Sequence, residues 1–475
     1  HHAEDQPREM AFHYSQAGRS ARQPFAYYSV LAGERLLRTL GFRQAIVHFD
    51  DALAALESQP GSPPDLIRRA LLGRGLAYES LLDPDGVSDT YWRLQTWAAA
   101  QGDRRLVLTT HSRFTSMLTL LGRQRESNQL LAELVEALAQ TEGSAVQSQV
   151  MADLLARRRL IYQGDRPELD ATSGALPGET PGETWTLYTP PPPAVPDPVQ
   201  DLLQVLEPVY AVLPLFDYGW TLLVQGQLGE ATHCLNAVVD LASETAQPSF
   251  ASTAYHQLAV TARILGDLEQ SQALNDRSVA INREVSGAAG ELASMWPRIS
   301  SAFLSIQANR LDEAERRLRR VVTFLDGRNA FHNYRHSANI GLGLVALARG
   351  QLTQAQELLE TAGADSVNLY PYTHIRALLG LARIAHLRGD AAACAQLLRR
   401  ALRFAGRRSL LEEYIETVLE IVHIQPPGAP TAELIRSVLS YVESIGLDAS
   451  ITVLRHALAE SDRRSIPLKQ PQDRP

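Results

Sequence analysis

The sequence predicts an all-α protein, a right-handed solenoid of helix–turn–helix repeats. Three observations predict this fold. A turn motif, Gly-x-x-x-(Glu or Gln)-small, recurs along the chain. Another small residue stands twelve positions before the small residue of each motif, and a large apolar residue stands four positions after it in most copies. The flanking segments have apolar residues at i, i+3 and i+4, which is typical of amphipathic helices.

The motif is clearest in the second half of the chain. It reads Gly226-Gln-Leu-Gly-Glu230-Ala231 in one copy and Gly350-Gln-Leu-Thr-Gln354-Ala355 in another. Asn309 replaces the glycine in a third copy, and asparagine also tolerates left-handed backbone at a helix end. A further copy begins at Gly122, and two looser copies begin at Gly41 and Gly86. From Ala231 the small residue recurs at Ser271, Ala314, Ala355 and Cys394, at spacings of 40, 43, 41 and 39 residues.

Small and large residues alternate in a way that predicts how the helices pack. A small residue lets two crossing helices approach, and a large one fills the space beside it. We therefore expect three pairs to be in contact: Gly33 with Phe49, Gly219 with Leu235, and Gly343 with Leu359. Both cysteines, Cys234 and Cys394, fall inside repeats, so we expect them to be buried small hydrophobic residues.

On these residues the chain resembles the tetratricopeptide repeat (TPR) family. The resemblance rests on Gly219, Gly226, Ala231 and Leu235, and on their counterparts Gly343, Gly350, Ala355 and Leu359. It covers roughly residues 25–140 and 212–405. The usual TPR unit has about 34 residues, whereas these repeats are longer and lack the tryptophan early in the first helix. We therefore do not transfer the superhelical pitch of the family.

Read in order, the chain divides into five segments. Residues 1–165 hold N-terminal TPR-like repeats, 166–200 a proline-rich insert, 201–408 C-terminal repeats, 409–461 a helical cap and 462–475 a disordered tail. The insert holds nine of the 26 prolines, so no helix runs through it. It forms either a surface loop or a polyproline II segment docked along the array.

Composition excludes several functions. Lys469 is the only lysine. A P-loop ATPase, a protein kinase and a Schiff-base enzyme each need a lysine within the fold, and this one lies in the proline-punctuated tail. The net charge of −8 argues against nucleic acid as a partner. No apolar run is long enough to cross a membrane, so we expect no membrane partner and a cytoplasmic location.

We find no motif that predicts catalysis, so we expect no enzymatic activity and no cofactor. No Gly-x-Ser-x-Gly elbow is present. His332 and His336 have a spacing compatible with a metal, but no third ligand accompanies them, so no metal site is expected. We interpret acidic pairs such as Glu412-Glu413 as solvated helix faces.

The concave side of a repeat array is its usual binding surface, and the first helix of each repeat lines it. Aromatic, arginine and histidine side chains in these first helices suit an acidic or aromatic peptide, because guanidinium groups bind carboxylates and rings anchor an interface. The candidate ligand-binding residues are His256, Arg263, Trp296, Arg298, Phe303, Tyr334, Arg335, Tyr372, Arg376, Arg383 and His386.

The N-terminal region resembles the junction before the repeats of bacterial STAND-type signalling ATPases. A short helix ending in Ala17-Gly18 precedes the first repeat, with Gly41, Ala45 and Phe49. The array as a whole is similar to the superhelix of maltose-operon activators, which belong to the same class. The resemblance implies a ligand sensor, in a defence or conflict system, whose partners include nucleotide-binding and effector domains of the same full-length protein.

Three functions stay open at this stage. The first is a sensor that binds a protein or peptide on its concave face and controls ATPase activation and oligomerisation. The second is a constitutive scaffold that joins proteins. The third is a small-molecule sensor of the maltose-activator type, which requires an enclosed polar pocket rather than an open groove.

Overall fold

The structure is a computed structural model. It describes residues 6–58, 61–121, 123–139, 149–163, 185–284, 288–327, 331–366, 371–424 and 429–465. Every regular element in these ranges is a helix, and consecutive helices pack as pairs. The predicted all-α, TPR-like solenoid is confirmed.

The N-terminal half contains eight α-helices and a 3-10 turn at Arg19–Ala21 within the ranges that the structure describes. The helices are α1 Pro7–Ser15, α2 Arg22–Arg38, α3 Phe42–Glu57, α4 Pro64–Leu81, α5 Pro84–Ala100, α6 Arg104–Leu120, α7 Gln124–Ala139 and α8 Gln149–Gln163.

The C-terminal half follows residues 185–197. Its helices are α9 Pro198–Val205, α10 Pro208–Val224, α11 Leu228–Glu244, α12 Pro248–Ile264, α13 Leu268–Glu284, α14 Ala288–Ala293, α15 Met295–Gln307, α16 Leu311–Leu325, α17 His332–Ala348, α18 Leu352–Ser366, α19 Pro371–Leu387, α20 Ala391–Gly406, α21 Leu411–Ile424, α22 Ala429–Ser444 and α23 Asp448–Ser465.

The turns of the later repeats have the predicted backbone. Gly226, Gly350 and Asn309 have φ values of 81°, 74° and 56°, so each ends its helix in the left-handed conformation. The second copy differs from the prediction. There Leu82 is the left-handed residue, and Gly86 lies in the first turn of α5 because the side chain of Asp83 caps that helix.

The predicted small–large pairs are in contact. A Cβ placed on Gly33 would lie 2.6 Å from the ring of Phe49, and one on Gly343 would lie 2.8 Å from Leu359. At Gly219 the nearest Leu235 atom would be 3.1 Å away. These glycines therefore let the two helices of a repeat approach closely. Both cysteines are buried, as expected.

The N-terminal repeats pack against the inner helices of the C-terminal repeats. The hydroxyl of Ser116 on α6 donates a hydrogen bond of 2.7 Å to Asp217 on α10. The buried guanidinium of Arg158 on α8 lies 3.1 Å from the same carboxylate. Arg113 on α6 donates to Gln247 at the start of α12. Helix α6 consequently covers one end of the C-terminal array.

Helix α21 closes the C-terminal repeats into a ring. Its first residue, Leu411, lies against the Gly226 turn at the end of α10. Its next residue, Glu412, forms an ion pair of 2.7 Å with Arg263 on α12. Beyond it, the Tyr441 hydroxyl on α22 donates to the carbonyl of Gln225 at 3.4 Å. The cap therefore contacts repeats 149 to 216 positions earlier in the chain.

The end of the insert, residues 185–197, lies along the array without helix or strand, and we call it the extended segment. The ring of Tyr188 packs 5.2 Å from Tyr414 and 5.3 Å from Tyr441. Arg157 on α8 donates to the carbonyls of Pro192 and Pro193 at 2.8 Å and 2.9 Å. This extended segment therefore ties the N-terminal half to the cap. Residues 166–184 of the predicted insert lie outside the described residues.

The C-terminal end departs slightly from the sequence-based segments. Helix α23 continues to Ser465, past residue 462 where a disordered tail was predicted, and the remaining ten residues lie outside the described part. Among the described helices, none combines the length and the apolar composition that a bilayer crossing requires.

Candidate functional site

The ring of inner helices surrounds a cavity of about 670 Å³. Helices α10, α12, α15, α17, α19 and α21 form its wall, and Ser116 and Thr119 of α6 contribute at one end. Its volume lies within the usual range for small-ligand sites, roughly 300–1,000 Å³. The apolar lining includes Leu213, Phe216, Trp220, Val260, Ile299, Phe303, Ile340 and Leu379.

The structure brings most of the predicted site residues to this cavity. The inward-facing positions of the repeats converge because each first helix presents one stripe to the ring interior. Seven of the candidate ligand-binding residues line it: His256, Arg263, Trp296, Phe303, Tyr372, Arg376 and Arg383.

The other four candidates lie elsewhere. Arg298 forms an ion pair with Glu291, and Arg335 donates to the carbonyl of Leu325. Tyr334 is buried behind Trp296, with 5.0 Å between the two ring centroids. His386 is exposed near the end of α19. These side chains point along or away from the ring because they fall outside the inward stripe of their helices.

The cavity arginines are paired with the carboxylates of α21. Arg383 binds Glu420 through two hydrogen bonds of 2.6 Å and 2.5 Å. Arg263 binds Glu412, and the pKa of that carboxyl is lowered because Arg263 and Arg376 outweigh the opposing effect of burial. These guanidinium groups, which we expected to bind the carboxylates of a peptide, bind carboxylates of the same chain.

Arg376 occupies the centre of this charged wall. Its guanidinium lies 3.9 Å from both Glu412 and Glu416, which is longer than a direct hydrogen bond. It also lies 4.9 Å from the centroid of the Phe303 ring, a cation–π distance. The neighbouring carboxylates raise the pKa of Arg376, so it stays charged.

Glu413 differs from its acidic neighbours. It is 6% exposed and lines the cavity, yet within the described ranges it forms no ion pair. Burial, followed by the negative charge of Glu412, raises the pKa of Glu413 to about 8. Burial also raises the pKa of Glu416. The acidic face of α21 therefore carries more carboxylate than the nearby arginines neutralise.

His256 is a neutral group in the wall of the cavity. Its Nδ1 lies 3.0 Å from the side-chain oxygen of Asn275, and its Nε2 lies 3.4 Å from the hydroxyl of Ser300. Burial lowers the pKa of His256 to about 4. At neutral pH the imidazole therefore exchanges hydrogen bonds without adding charge.

The acidic face of α21 is the part of the site that the sequence interpretation missed. We interpreted Glu412-Glu413 as a solvated face, but both residues face the cavity and Glu413 is buried. A signal was present: Glu412, Glu416 and Glu420 recur every fourth position in a helix that is otherwise mostly apolar. Trp220 and Asp217 on α10 were also missed, although Gly219 marks that helix as the first of its repeat.

The described residues contain no candidate metal site. No group of three or more histidine, cysteine, aspartate or glutamate side chains lies close enough there to hold an ion. Burial raises the pKa of the Cys234 thiol to about 12, which leaves it protonated and unreactive at neutral pH.

Comparison with known proteins finds only distant structural likenesses. No family model and no curated protein matches the chain. A Rap protein solved with the competence and sporulation factor is 12% identical, with a TM-score of 0.40, over 75% of this chain and 98% of that one. The Rap conjugation regulator of plasmid pLS20, solved with a Phr peptide, is 13% identical, with a TM-score of 0.43, over 76% and 98%. These values are too low to transfer a function to this chain.

Proposed function

We propose that this chain is a ligand-sensing helical-repeat module that encloses a compact ligand inside its ring of first helices. The observation that carries the proposal is the cavity of about 670 Å³ beneath α21. Such a site differs from the open concave groove of a scaffold, because α21 occupies the face that a protein partner would contact. We required an enclosed polar pocket of a small-molecule sensor, and this cavity meets the requirement in part: helices wall it, and its lining is mostly apolar with a charged face on α21.

An extended peptide or protein on the concave face fits this geometry less well. Such a ligand would have to displace α21 and break the Arg263–Glu412 and Arg383–Glu420 pairs. Breaking the Arg263–Glu412 pair, which is largely shielded from solvent, leaves uncompensated charges, which is costly. A compact ligand fills the cavity without this cost.

The position of α21 gives a route from binding to signalling. The helix forms one wall of the cavity and at the same time holds the Gly226 turn through Leu411. A ligand that contacts α21 more favourably in the closed ring than in an open one shifts the population towards the closed ring. Ligand binding in the cavity thereby changes the balance between the closed and open conformations of the repeat array.

We further propose that this sensor controls a STAND-type ATPase and its effector in a cytoplasmic signalling or defence system. Support comes from the sequence resemblance around Ala17-Gly18 and the first repeat. The test is the full-length gene. We expect it to encode an in-frame nucleotide-binding domain upstream of His1. We also expect the ATPase activity and the oligomerisation of the full-length protein to respond to the ligand. ATPase activity and oligomerisation that do not change when the repeats are deleted would contradict this proposal.

Equilibrium dialysis against a small-molecule extract of the host cells tests the binding function. The wild-type protein is compared with Val260→Trp, which fills the cavity, and with Leu265→Trp, which adds the same ring at an exposed position outside it. Mass spectrometry is expected to find a compound retained by the wild type and by Leu265→Trp but not by Val260→Trp. Equal retention by all three proteins, or retention of no compound, overturns the proposal.

A further inference from the structure

The cavity holds more carboxyl groups than guanidinium groups. Five carboxylates line it, those of Asp217, Glu412, Glu413, Glu416 and Glu420. Three guanidinium groups line it as well, and that of Arg158 reaches Asp217 from behind, so the described residues provide four guanidinium groups for five carboxyl groups. A buried uncompensated carboxylate either binds a proton or attracts a cation.

The carboxyl groups that have no close guanidinium lie on one part of α21. Asp217, Glu412 and Glu420 each have a guanidinium within 3.1 Å. Glu416 has Arg376 at 3.9 Å, and Glu413 has no ion pair among the described residues. Glu413 and Glu416 are therefore the two carboxylates with unused capacity to accept hydrogen bonds from a bound cation.

Apolar and aromatic surfaces cover much of the rest of the cavity. Phe303 and Tyr372 belong to the same wall as Arg376, and Tyr372 precedes Arg376 by one helical turn. The Trp296 ring lies 6.2 Å from that of Tyr372. Such surfaces suit an apolar ligand body, and rings of this type also attract organic cations.

Resting on the proposed function, we infer that the cavity takes a compact organic amine. Its ammonium group lies against Glu413 and Glu416, and its apolar body contacts the aromatic rings of α15 and α19. An anionic ligand fits less well because Arg263 and Arg383 already bind Glu412 and Glu420. An ammonium group takes the place of the proton that the Glu413 carboxyl otherwise holds at neutral pH, and it breaks neither pair.

Ligands matched in shape but not in charge test this inference. The probes are two triplets: tryptamine, tryptophol and indole-3-acetate, and 4-phenylbutylamine, 4-phenylbutanol and 4-phenylbutyrate. Titration calorimetry at neutral pH compares the wild type with Glu413→Gln. The matched control is Glu433→Gln, the same change at an exposed residue of α22 that lies outside the cavity. Circular dichroism verifies that each variant is folded.

We expect at least one amine to bind the wild type ten-fold or more tighter than its alcohol and its acid. Glu413→Gln is expected to weaken the affinity for the amine at least ten-fold, while Glu433→Gln is expected to bind the amine like the wild type. The inference is overturned if neither amine binds, if an alcohol or acid binds as tightly as its amine, or if Glu413→Gln binds the amine like the wild type.

The dialysis experiment separates this inference from the proposed function. If the wild type retains a neutral or anionic compound that Val260→Trp does not retain, the inference that the ligand is an amine is overturned. The cavity then remains a ligand site. Retention of no compound overturns the proposed function itself.

Discussion

The guanidinium of Arg263 lies 2.7 Å from the carboxylate of Glu412, although the two residues are 149 positions apart in the chain. This pair joins α12 to α21 and closes the ring around the cavity. Both side chains are about one-fifth exposed, so the pair is shielded from solvent more than a surface ion pair is.

Breaking this pair from one side should destabilise the protein. Arg263→Met leaves the Glu412 carboxylate with only Arg376, at 3.9 Å. We expect a loss of about 1–3 kcal/mol in the free energy of unfolding, measured by urea denaturation, because the pair lies between the buried and exposed limits. The double variant Arg263→Met, Glu412→Gln should recover part of the loss.

The matched control for that experiment is Arg455→Met. Arg455 pairs with Glu443 at 2.7 Å, but its side chain is 65% exposed. We expect a change of less than about 0.5 kcal/mol there. Equal effects at the two positions would show that the Arg263–Glu412 pair has no special role in closing the ring.

Glu413→Gln should make the protein more stable at alkaline pH. In the unfolded chain the Glu413 carboxyl ionises near its ordinary pKa of 4.5, whereas in the folded state its pKa is about 8. Between these values the folded state binds more protons than the unfolded state, so wild-type stability falls as pH rises. Glutamine does not titrate.

The advantage of Glu413→Gln is therefore expected to grow from pH 4.5 to pH 8 and then level off, at on the order of 5 kcal/mol. The charged groups that set this behaviour are Glu412 and Glu416 on α21 and Arg376 on α19. Tyr188 of the extended segment also interacts with Glu413. Thermal denaturation across this pH range measures the effect, and a pH-independent difference would contradict it.

Gly226→Ala should test the contact between the repeat turn and α21. The backbone at Gly226 has a φ of 81°, and a Cβ there would overlap the side chain of Leu411. Gly350 has a similar φ of 74° but no neighbouring atom within 4 Å. Gly350→Ala therefore incurs only the backbone strain, about 1–2 kcal/mol. We expect Gly226→Ala to lose clearly more stability than Gly350→Ala in the same denaturation assay.

Tyr188→Ala should weaken the attachment of the extended segment. The tyrosine is 6% exposed and packs between Tyr414 and Tyr441. Removing a buried aromatic side chain costs about 3–5 kcal/mol. Leu187→Ala, at a neighbouring residue that is 42% exposed, is expected to change stability by less than 1 kcal/mol. Similar losses for both variants would show that the segment is not held through Tyr188.

The sequence predicted the local features of the fold because their causes are local. A left-handed turn residue favours glycine or asparagine, so Gly226, Asn309 and Gly350 are visible in the sequence. Where another residue adopts that backbone, as Leu82 does, the pattern misleads. The pairing of Gly343 with Leu359 also follows from helical spacing alone.

The closure of the ring was not predictable in this way. The carboxylate of Glu412 and the guanidinium of Arg263 meet only after about 150 intervening residues have stacked. No short-range periodicity of the sequence indicates this contact. The sequence therefore placed seven of its candidate residues on the inner wall but not the acidic helix opposite them, and it predicted an open face where α21 lies.

Amide hydrogen exchange, with and without the dialysed cell extract, tests most directly whether a ligand binds inside the ring. We expect added protection in α21 and in the inner helices α12 and α19 of the wild type, and none in Val260→Trp. Protection confined to the outer helices α13 and α20, or no change in the wild type, would contradict an enclosed ligand site.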